Sequence, residues 1–114
     1  MELKTHTSGN AVTLELDGRF DTYTAQPVAD WLAQTTVAGS TRIVVDLARV
    51  SFVDSTGLAV LVKGMKQCRQ RGGDLYLCGL QRPVRMIFEL TRLDKAFEIF
   101  GSHPEAIAAF TGEQ

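Results

Sequence analysis

The chain has 114 residues, 45% of them hydrophobic and 22% charged, which suits one compact domain with its own core. Twelve Lys and Arg against thirteen Asp and Glu give a formal net charge of −1, which excludes a global positive field, so we expect no nucleic acid partner. No apolar run approaches the roughly 20 residues of a membrane helix, and residues 1–6 lack the apolar stretch of a signal peptide. We therefore expect a cytoplasmic protein without membrane insertion.

The first half of the chain predicts a hairpin, a helix and a central strand. Val12, Leu14 and Leu16 alternate with polar residues and predict a half-buried strand that Gly18 ends, with residues 3–7 as its hairpin partner. A helix is predicted from about residue 24 to 36, because five residues fall on one helical face: Ala25, Val28, Trp31, Leu32 and Thr35. Asp21 or Thr24 can cap its start. The β-branched run at 43–47 predicts a covered central strand.

The second half alternates predicted helices and strands. A helix whose face includes Leu58, Leu61, Val62, Met65 and Cys68 or Arg69 is ended by Gly72 and Gly73, and residues 75–78 form the next strand. Pro83 opens a third helix, with a face of Val84, Ile87, Phe88 and Leu90 or Thr91, before a strand at 96–100. Ser102 and Glu105 have the spacing of a capping box, which predicts a last helix through Ala106, Ile107, Ala109 and Phe110 that ends before Thr111.

This order of elements predicts an α/β fold. Strand-helix-strand crossovers are nearly always parallel and right-handed, so the sheet is expected to be mixed, with about five strands and an opening hairpin. The polar alternation of the first strands leaves one face open near that edge, so we expect about four helices mainly on one face. Residues 1–114 are interpreted as a single domain.

The candidate functional residues are concentrated in the polar segment from Phe52 to Leu58. Asp54, Ser55 and Thr56 are residue types that cap helices, and a helix N-terminus can also hold a phosphate, so the residues alone leave both interpretations open. A nucleophile elbow is excluded because Val53 stands where its first glycine belongs, and a phosphate-binding loop motif is absent from the sequence. We expect no enzymatic activity.

The remaining reactive residues predict no cofactor and no metal. Cys68 and Cys78 are too far apart for a CxxC motif and are interpreted as reduced core residues. His6 and His103 lie at opposite ends of the chain, and each is expected on the surface. The basic residues of the second helix, Lys63, Lys66, Arg69 and Arg71, are interpreted as a solvated face in preference to a docking patch.

The segment Val50-Ser51-Phe52-Val53-Asp54-Ser55-Thr56-Gly57-Leu58 resembles the signature of the STAS domain family, and specifically of bacterial anti-sigma factor antagonists. Three further segments resemble the family in the same order: Gly18-Arg19-Phe20-Asp21 with Thr24-Ala25, Gly72-Gly73-Asp74-Leu75, and Leu90-Thr91-Arg92-Leu93. Together these segments extend the resemblance over nearly the whole chain.

The resemblance implies a regulator that a partner kinase switches. It identifies Ser55 as the phosphorylation site of an anti-sigma factor that is also a serine protein kinase, with a PP2C-type phosphatase reversing the reaction. It implies that the unphosphorylated form binds the anti-sigma factor and that the phosphorylated form does not. The partner-binding residues that it implies are Asp21, Thr24, Asp54, Ser55, Thr56 and Gly57.

Two departures and one alternative accompany this resemblance. Arg19 stands where an acidic residue is common in the family, which predicts an effect on partner choice, and Ala59 stands where glycine is frequent. Gly57 is expected either to let a partner approach closely or to adopt a positive φ. In the alternative, the chain is the interaction subunit of another complex, stressosome-like or associated with lipid transport, and Ser55 only caps a helix.

Overall fold

Residues 1–112, which the computed structural model describes, form a five-stranded mixed sheet in the order β1-β2-β3-β4-β5. The strands are β1 (Glu2–Ser8), β2 (Ala11–Phe20), β3 (Arg42–Val53), β4 (Asp74–Cys78) and β5 (Ile99–Phe100). β1 and β2 are antiparallel, and every later neighbouring pair is parallel. The predicted α/β fold with an opening hairpin and a mixed sheet is confirmed.

Four α-helices within residues 1–112 cover the two faces of the sheet unequally. They are α1 (Ala25–Val37), α2 (Ser55–Gln70), α3 (Arg82–Leu90) and α4 (His103–Thr111), with a 3₁₀ turn at Leu93–Lys95. Ile43, Val45 and Leu47 of β3 share a buried core with α1, α2 and α3, whereas Val44 packs with Ala106 of α4. The helices therefore lie mainly on one face, as predicted. None of the four is both long and apolar enough to cross a membrane.

The expected burial of both cysteines is confirmed. Cys68 and Cys78 are free thiols without solvent exposure, one in each of the two cores. Burial raises the pKa of Cys68 to about 11 and that of Cys78 to about 12. Neither residue supplies a reactive thiolate near neutral pH, because the thiolate is the nucleophilic form of cysteine.

The prediction that Gly18 ends the second strand is wrong. Gly18 has φ +125, and the register between β2 and β3 shifts on both sides of Asp17–Gly18, but pairing continues to the pair Phe20 and Val53. The irregularity acts as a β-bulge, which kinks a strand without ending it. Both strands thus end side by side, and the segments that follow them start at the same place on the sheet edge.

Three predicted faces or boundaries also differ. Thr13, one of the polar residues that alternate with Val12, Leu14 and Leu16, is expected on the open face, but it is 1% exposed because α4 packs against β2 on that side. The periodicity of α3 predicts Leu90 or Thr91 on its buried face, but both are exposed, Leu90 by 81%, and the fully buried residues of this helix are Val84 and Phe88. The strand predicted at 96–100 is reduced to Ile99–Phe100, because the 3₁₀ turn occupies the chain before it.

Two predicted helix caps are replaced by other contacts. Ser102 stands at the N-cap of α4 without a side-chain capping bond, and Glu105 Oε2 accepts from Gly101 N at 3.1 Å, one residue earlier than a capping box requires. Thr24 stands at the N-cap of α1, but its hydroxyl donates to the Arg19 carbonyl at 2.6 Å. The Thr24 side chain therefore ties the loop before α1 to the end of β2.

Candidate functional site

Asp54 is the residue that joins β3 to α2 and caps the helix. Its Oδ1 accepts hydrogen bonds from the backbone N–H groups of Thr56, at 2.9 Å, and Gly57, at 3.0 Å. Its φ and ψ are extended, and α2 begins at the next residue, Ser55. A carboxylate in this position satisfies two of the free N–H groups of a helix start and interacts favourably with the helix dipole.

The second oxygen of Asp54 binds the neighbouring loop. Asp54 Oδ2 accepts from the backbone N–H of Thr22 at 3.0 Å and from its hydroxyl at 3.2 Å. The Thr22 hydroxyl also lies 3.0 Å from the hydroxyl of Thr56. One carboxylate therefore connects the β2–α1 loop, residues 21–24, to the first turn of α2.

Asp21 and Thr24 shape this loop from within. Asp21 Oδ1 accepts from the backbone N–H of Tyr23 at 3.0 Å, and the Asp21 carbonyl accepts from the N–H groups of Thr24 and Ala25. The Thr24 hydroxyl accepts from the Asp21 N–H at 2.9 Å. Both predicted site residues lie in the loop that Asp54 binds through Thr22, and their side chains mainly hold the loop.

Ser55 and Thr56 differ in their surroundings. Ser55, the first residue of α2, is exposed to solvent. Thr56 is half-buried, and its hydroxyl lies against that of Thr22. Of these two hydroxyl residues, Ser55 is the more accessible to another protein.

Gly57 is buried, and its missing side chain is explained by contacts within the chain. A Cβ atom at this position would lie 2.7 Å from the carbonyl oxygen of Phe20 and 3.0 Å from Val53 Cγ1. Its φ is outside the positive region. Of the two alternatives for Gly57, the positive φ is wrong. The structure shows a close approach between α2 and the end of β2, and an approach by a partner stays a prediction.

Two residues of the loop were missed by the sequence analysis. Thr22 makes the link to Asp54, and Tyr23 is 94% exposed, the most exposed of the large hydrophobic side chains described. The sequence could have indicated Tyr23, because an aromatic residue in a short loop next to a predicted site is a common anchor for a partner. No local pattern could indicate Thr22, since its partner is 32 residues away in the chain.

Arg19 lies at the rim of this site. Its Nε is 3.6 Å from Asp21 Oδ2, and its guanidinium carbon lies 4.1 Å from the centre of the Phe52 ring. The Arg19 side chain is 62% exposed. The expected effect of Arg19 on partner choice stays a prediction, and its location beside the loop is consistent with it.

The hydrogen bonds to Asp54 make the site sensitive to acid. The N–H groups of Gly57, Thr22 and Thr56, together with the Thr22 hydroxyl, hold the pKa of the Asp54 carboxyl below its usual range. A carboxyl with a lower pKa in the folded state stabilises that state above its unfolded pKa, near about 4, and this contribution is lost as the pH falls through the folded pKa.

We expect Asp54→Asn to release the loop while keeping the helix cap. The asparagine Oδ1 can still accept from Thr56 and Gly57, but its NH₂ group cannot accept from Thr22. Amide hydrogen exchange should therefore become faster at Thr22 and change little at Thr56, and the acid dependence of stability should weaken. An equal rise of exchange at Thr56 would contradict this division of the two oxygens.

The two histidines, distant in sequence, lie near each other on the opposite face of the sheet. His6 contacts Glu15, and His103 Nδ1 lies 3.8 Å from Asp46 Oδ2, while Glu15 and Asp46 are partners in the β2–β3 register. Both histidines are exposed, as predicted. In the part of the chain that the structure describes, no three His, Cys, Asp or Glu side chains are grouped as a metal site requires.

Comparisons with known proteins agree with this fold. The "Anti-sigma-B factor antagonist" of Listeria monocytogenes is 40% identical over 82 residues, which cover 72% of each chain. The Bacillus protein SpoIIAA has the same fold in its unphosphorylated form, with a TM-score of 0.77, 19% identity and coverage of 97% of this chain and 99% of that one. Its phosphorylated form has a TM-score of 0.76, 20% identity and coverage of 95% and 98%.

The family model named STAS domain matches residues 2–106, which include β1 to β5, both segments of the site and the start of α4. The resemblance seen in the Asp54 to Gly57 segment therefore extends over most of the sequence. This chain belongs to the STAS domain family.

Proposed function

We propose that this protein is an anti-sigma factor antagonist that phosphorylation of Ser55 switches off. Unphosphorylated, it binds an anti-sigma factor that is also a serine protein kinase; phosphorylated, it releases that partner. The observation that carries the proposal is the exposed Ser55 at the start of α2, beside a loop that Asp54 holds in place. Support also comes from the relative in Listeria monocytogenes, whose name is that of an anti-sigma-B factor antagonist.

The chemistry of the switch requires little of the chain itself. The kinase transfers the γ-phosphoryl group of ATP to Ser55 Oγ, so that an O–P bond forms, the bond to ADP breaks and the hydroxyl proton is lost. A PP2C-type phosphatase then hydrolyses the O–P bond and releases inorganic phosphate. The phosphate stays at a helix N-terminus, where negative charge is favoured, so the modified domain is expected to remain folded.

The proposed mode of action is that of a single binding domain. We propose that residues 1–114 act as one STAS domain in the cytoplasm, as a regulator that binds partners and catalyses no reaction itself. The last two of these residues lie outside the described part of the chain. Asp21, Thr24, Asp54, Ser55 and Thr56 would form or support the binding surface, and Gly57 would act by keeping α2 close to Phe20.

Mass spectrometry with the partner kinase tests the proposal. The Ser55→Ala variant serves as bait to recover the kinase from the native cell, because a variant that cannot be phosphorylated should remain bound. Incubation with that kinase and ATP should add one phosphate to the wild type and none to Ser55→Ala. Phosphate that maps to Thr56 would contradict the assignment of the site.

The alternative, in which Ser55 only caps a helix, is less well supported by the geometry. The capping side chain of α2 is that of Asp54, and Ser55 is already the first residue of the helix. A stressosome-like or lipid-transport complex remains the alternative setting for the domain. Recovery of such a complex by the bait, without phosphorylation of Ser55, would favour it.

We expect Tyr23→Ala to weaken partner binding without affecting the fold. The Tyr23 side chain is 94% exposed, so its loss removes contact area from the surface and nothing from the core. Tyrosine anchors in interfaces contribute about 2 kcal/mol or more, which corresponds to about 30-fold in affinity. Isothermal titration with the kinase measures this loss, and Val37→Ala, an exposed hydrophobic residue at the far end of α1, is the control.

An unchanged affinity for Tyr23→Ala would show that the partner does not use this part of the loop. A lower melting temperature would show instead that Tyr23 supports the fold, contrary to its exposure.

A further inference from the structure

The net charge of −1 conceals a strong separation of charge along the chain. Residues 63–95 contain eight of the twelve Lys and Arg but only three of the thirteen Asp and Glu. This stretch includes the second half of α2, all of α3 and the 3₁₀ turn, which pack on the same face of the sheet. The part of the helical side formed by α3, the 3₁₀ turn and the second half of α2 is therefore rich in positive charge.

One helix on this side also exposes hydrophobic side chains. Arg82, Met86 and Leu90 follow one another at intervals of four along α3, so they lie on one side of the helix. Met86 is 51% exposed and Leu90 is 81% exposed, which makes two of the four large exposed hydrophobic residues in the described part of the chain. A mixture of apolar and basic side chains on one helix face is typical of a surface that binds a partner.

The turn after α3 adds a strained basic residue. Arg92 has φ +65 and is the one residue other than glycine with a positive φ among residues 1–112. Glycine adopts this conformation without strain, whereas a residue with a Cβ does not. Arg92 is exposed, so packing does not explain why an arginine occupies the position. Backbone strain at an exposed residue such as Arg92 indicates that its side chain has a function.

We propose that Arg82, Arg85, Met86, Leu90, Arg92 and Lys95 form a docking surface for an acidic, partly apolar segment of a protein partner. The α3 docking surface, as we call this set, lies on α3 and the turn after it, and the proposal does not depend on phosphorylation of Ser55. Arg side chains bind carboxylates with two parallel hydrogen bonds, and Met86 and Leu90 would contact the apolar side chains of the segment.

A protein segment fits this surface better than an anionic membrane does. Glu89 is exposed on α3 between Met86 and Leu90, and its carboxylate would be repelled by anionic headgroups. A peptide can place its own carboxylates beside the arginines and away from Glu89. The two exposed apolar residues are also few for stable insertion into a lipid surface.

Titration with a synthetic helical peptide that carries Glu and Leu on one face tests this proposal. Backbone NMR shifts should change at residues 82–95, and Arg82→Glu with Arg85→Glu should weaken binding at least about tenfold, which is about 1.4 kcal/mol. Lys63→Glu with Lys66→Glu makes the same change of charge on α2 and should change affinity less than about twofold. Equal losses in the two variants, or the absence of any shift, would overturn the proposal.

Arg92→Gly separates the strain from the charge. Relief of the positive φ should raise the melting temperature, while loss of the guanidinium should weaken peptide binding at least about threefold. Arg92→Lys keeps a cation in the same backbone conformation and should change both properties little. Unchanged peptide binding by Arg92→Gly, or binding of phosphatidylglycerol vesicles in place of the peptide, would contradict the assignment.

Discussion

Replacement of Ser55 by Asp is expected to weaken binding of the anti-sigma factor at least about 30-fold while the domain stays folded. Ser55 is exposed at the first residue of α2, so the added carboxylate enters the proposed interface and not the core. A charge left without a partner in an interface costs about 2 kcal/mol or more of binding free energy. Negative charge at a helix N-terminus stabilises the helix by about 0.3–1 kcal/mol.

Two measurements and one control make this prediction specific. Titration calorimetry with the kinase gives the affinity, and thermal unfolding gives the stability of the same samples. Asparagine has nearly the size of aspartate but carries no charge. The affinity of the Ser55→Asn variant should therefore lie much closer to that of the wild type. Equal losses for the two variants would assign the effect to size, and a large fall in melting temperature would assign it to unfolding.

Gly57→Ala is expected to destabilise the domain by about 2 kcal/mol and to lower its melting temperature by about 5–10 °C. The added Cβ would lie 2.7 Å from the Phe20 carbonyl oxygen, which is backbone and cannot rotate away. The same oxygen accepts a hydrogen bond from Asp54 N at 3.2 Å. Relief of the contact therefore separates the end of β2 from the start of α2, and partner binding should fall as well.

Gly64→Ala in the same helix is the matched control. There the new Cβ would meet Leu32 Cδ1 at 2.8 Å and Leu75 Cδ1 at 3.2 Å, the ends of flexible side chains that can move. Alanine gains helix propensity over glycine, by up to about 1 kcal/mol in the interior of a helix, so propensity alone predicts no loss of stability for either substitution. Gly57→Ala should be the more destabilising of the two, and the reverse order would show that the Phe20 contact is easily relieved.

The local features of the site were predictable from the sequence. Asp54 and Ser55 stand at the start of α2 because capping residues and the following apolar spacing are both short-range signals. The role of Gly57 was not predictable, because it depends on Phe20, 37 positions earlier in the chain. The link from Asp54 to Thr22 was hidden for the same reason.

The errors in the fold have a common physical origin. Gly18 predicts a strand end, but the neighbouring strand β3 extends far enough to pair with the residues beyond the bulge. The periodicity of α3 predicts Leu90 or Thr91 on the buried face, yet the short helix ends there and both side chains are exposed. In both cases contacts with neighbouring elements determine where the strand ends or whether the side chain is buried. A local sequence pattern carries no information on those contacts.

The hydrogen bonds that Asp54 makes with both segments have a consequence for the speed of recognition. The β2–α1 loop and the first turn of α2 are ordered when the chain folds, so their conformational entropy is not lost again on association. Encounter then resembles that of two rigid bodies, for which association rate constants of about 10⁵–10⁷ M⁻¹s⁻¹ are typical. With association rates in this range, differences in affinity between partners are expected to lie mainly in how fast each complex dissociates.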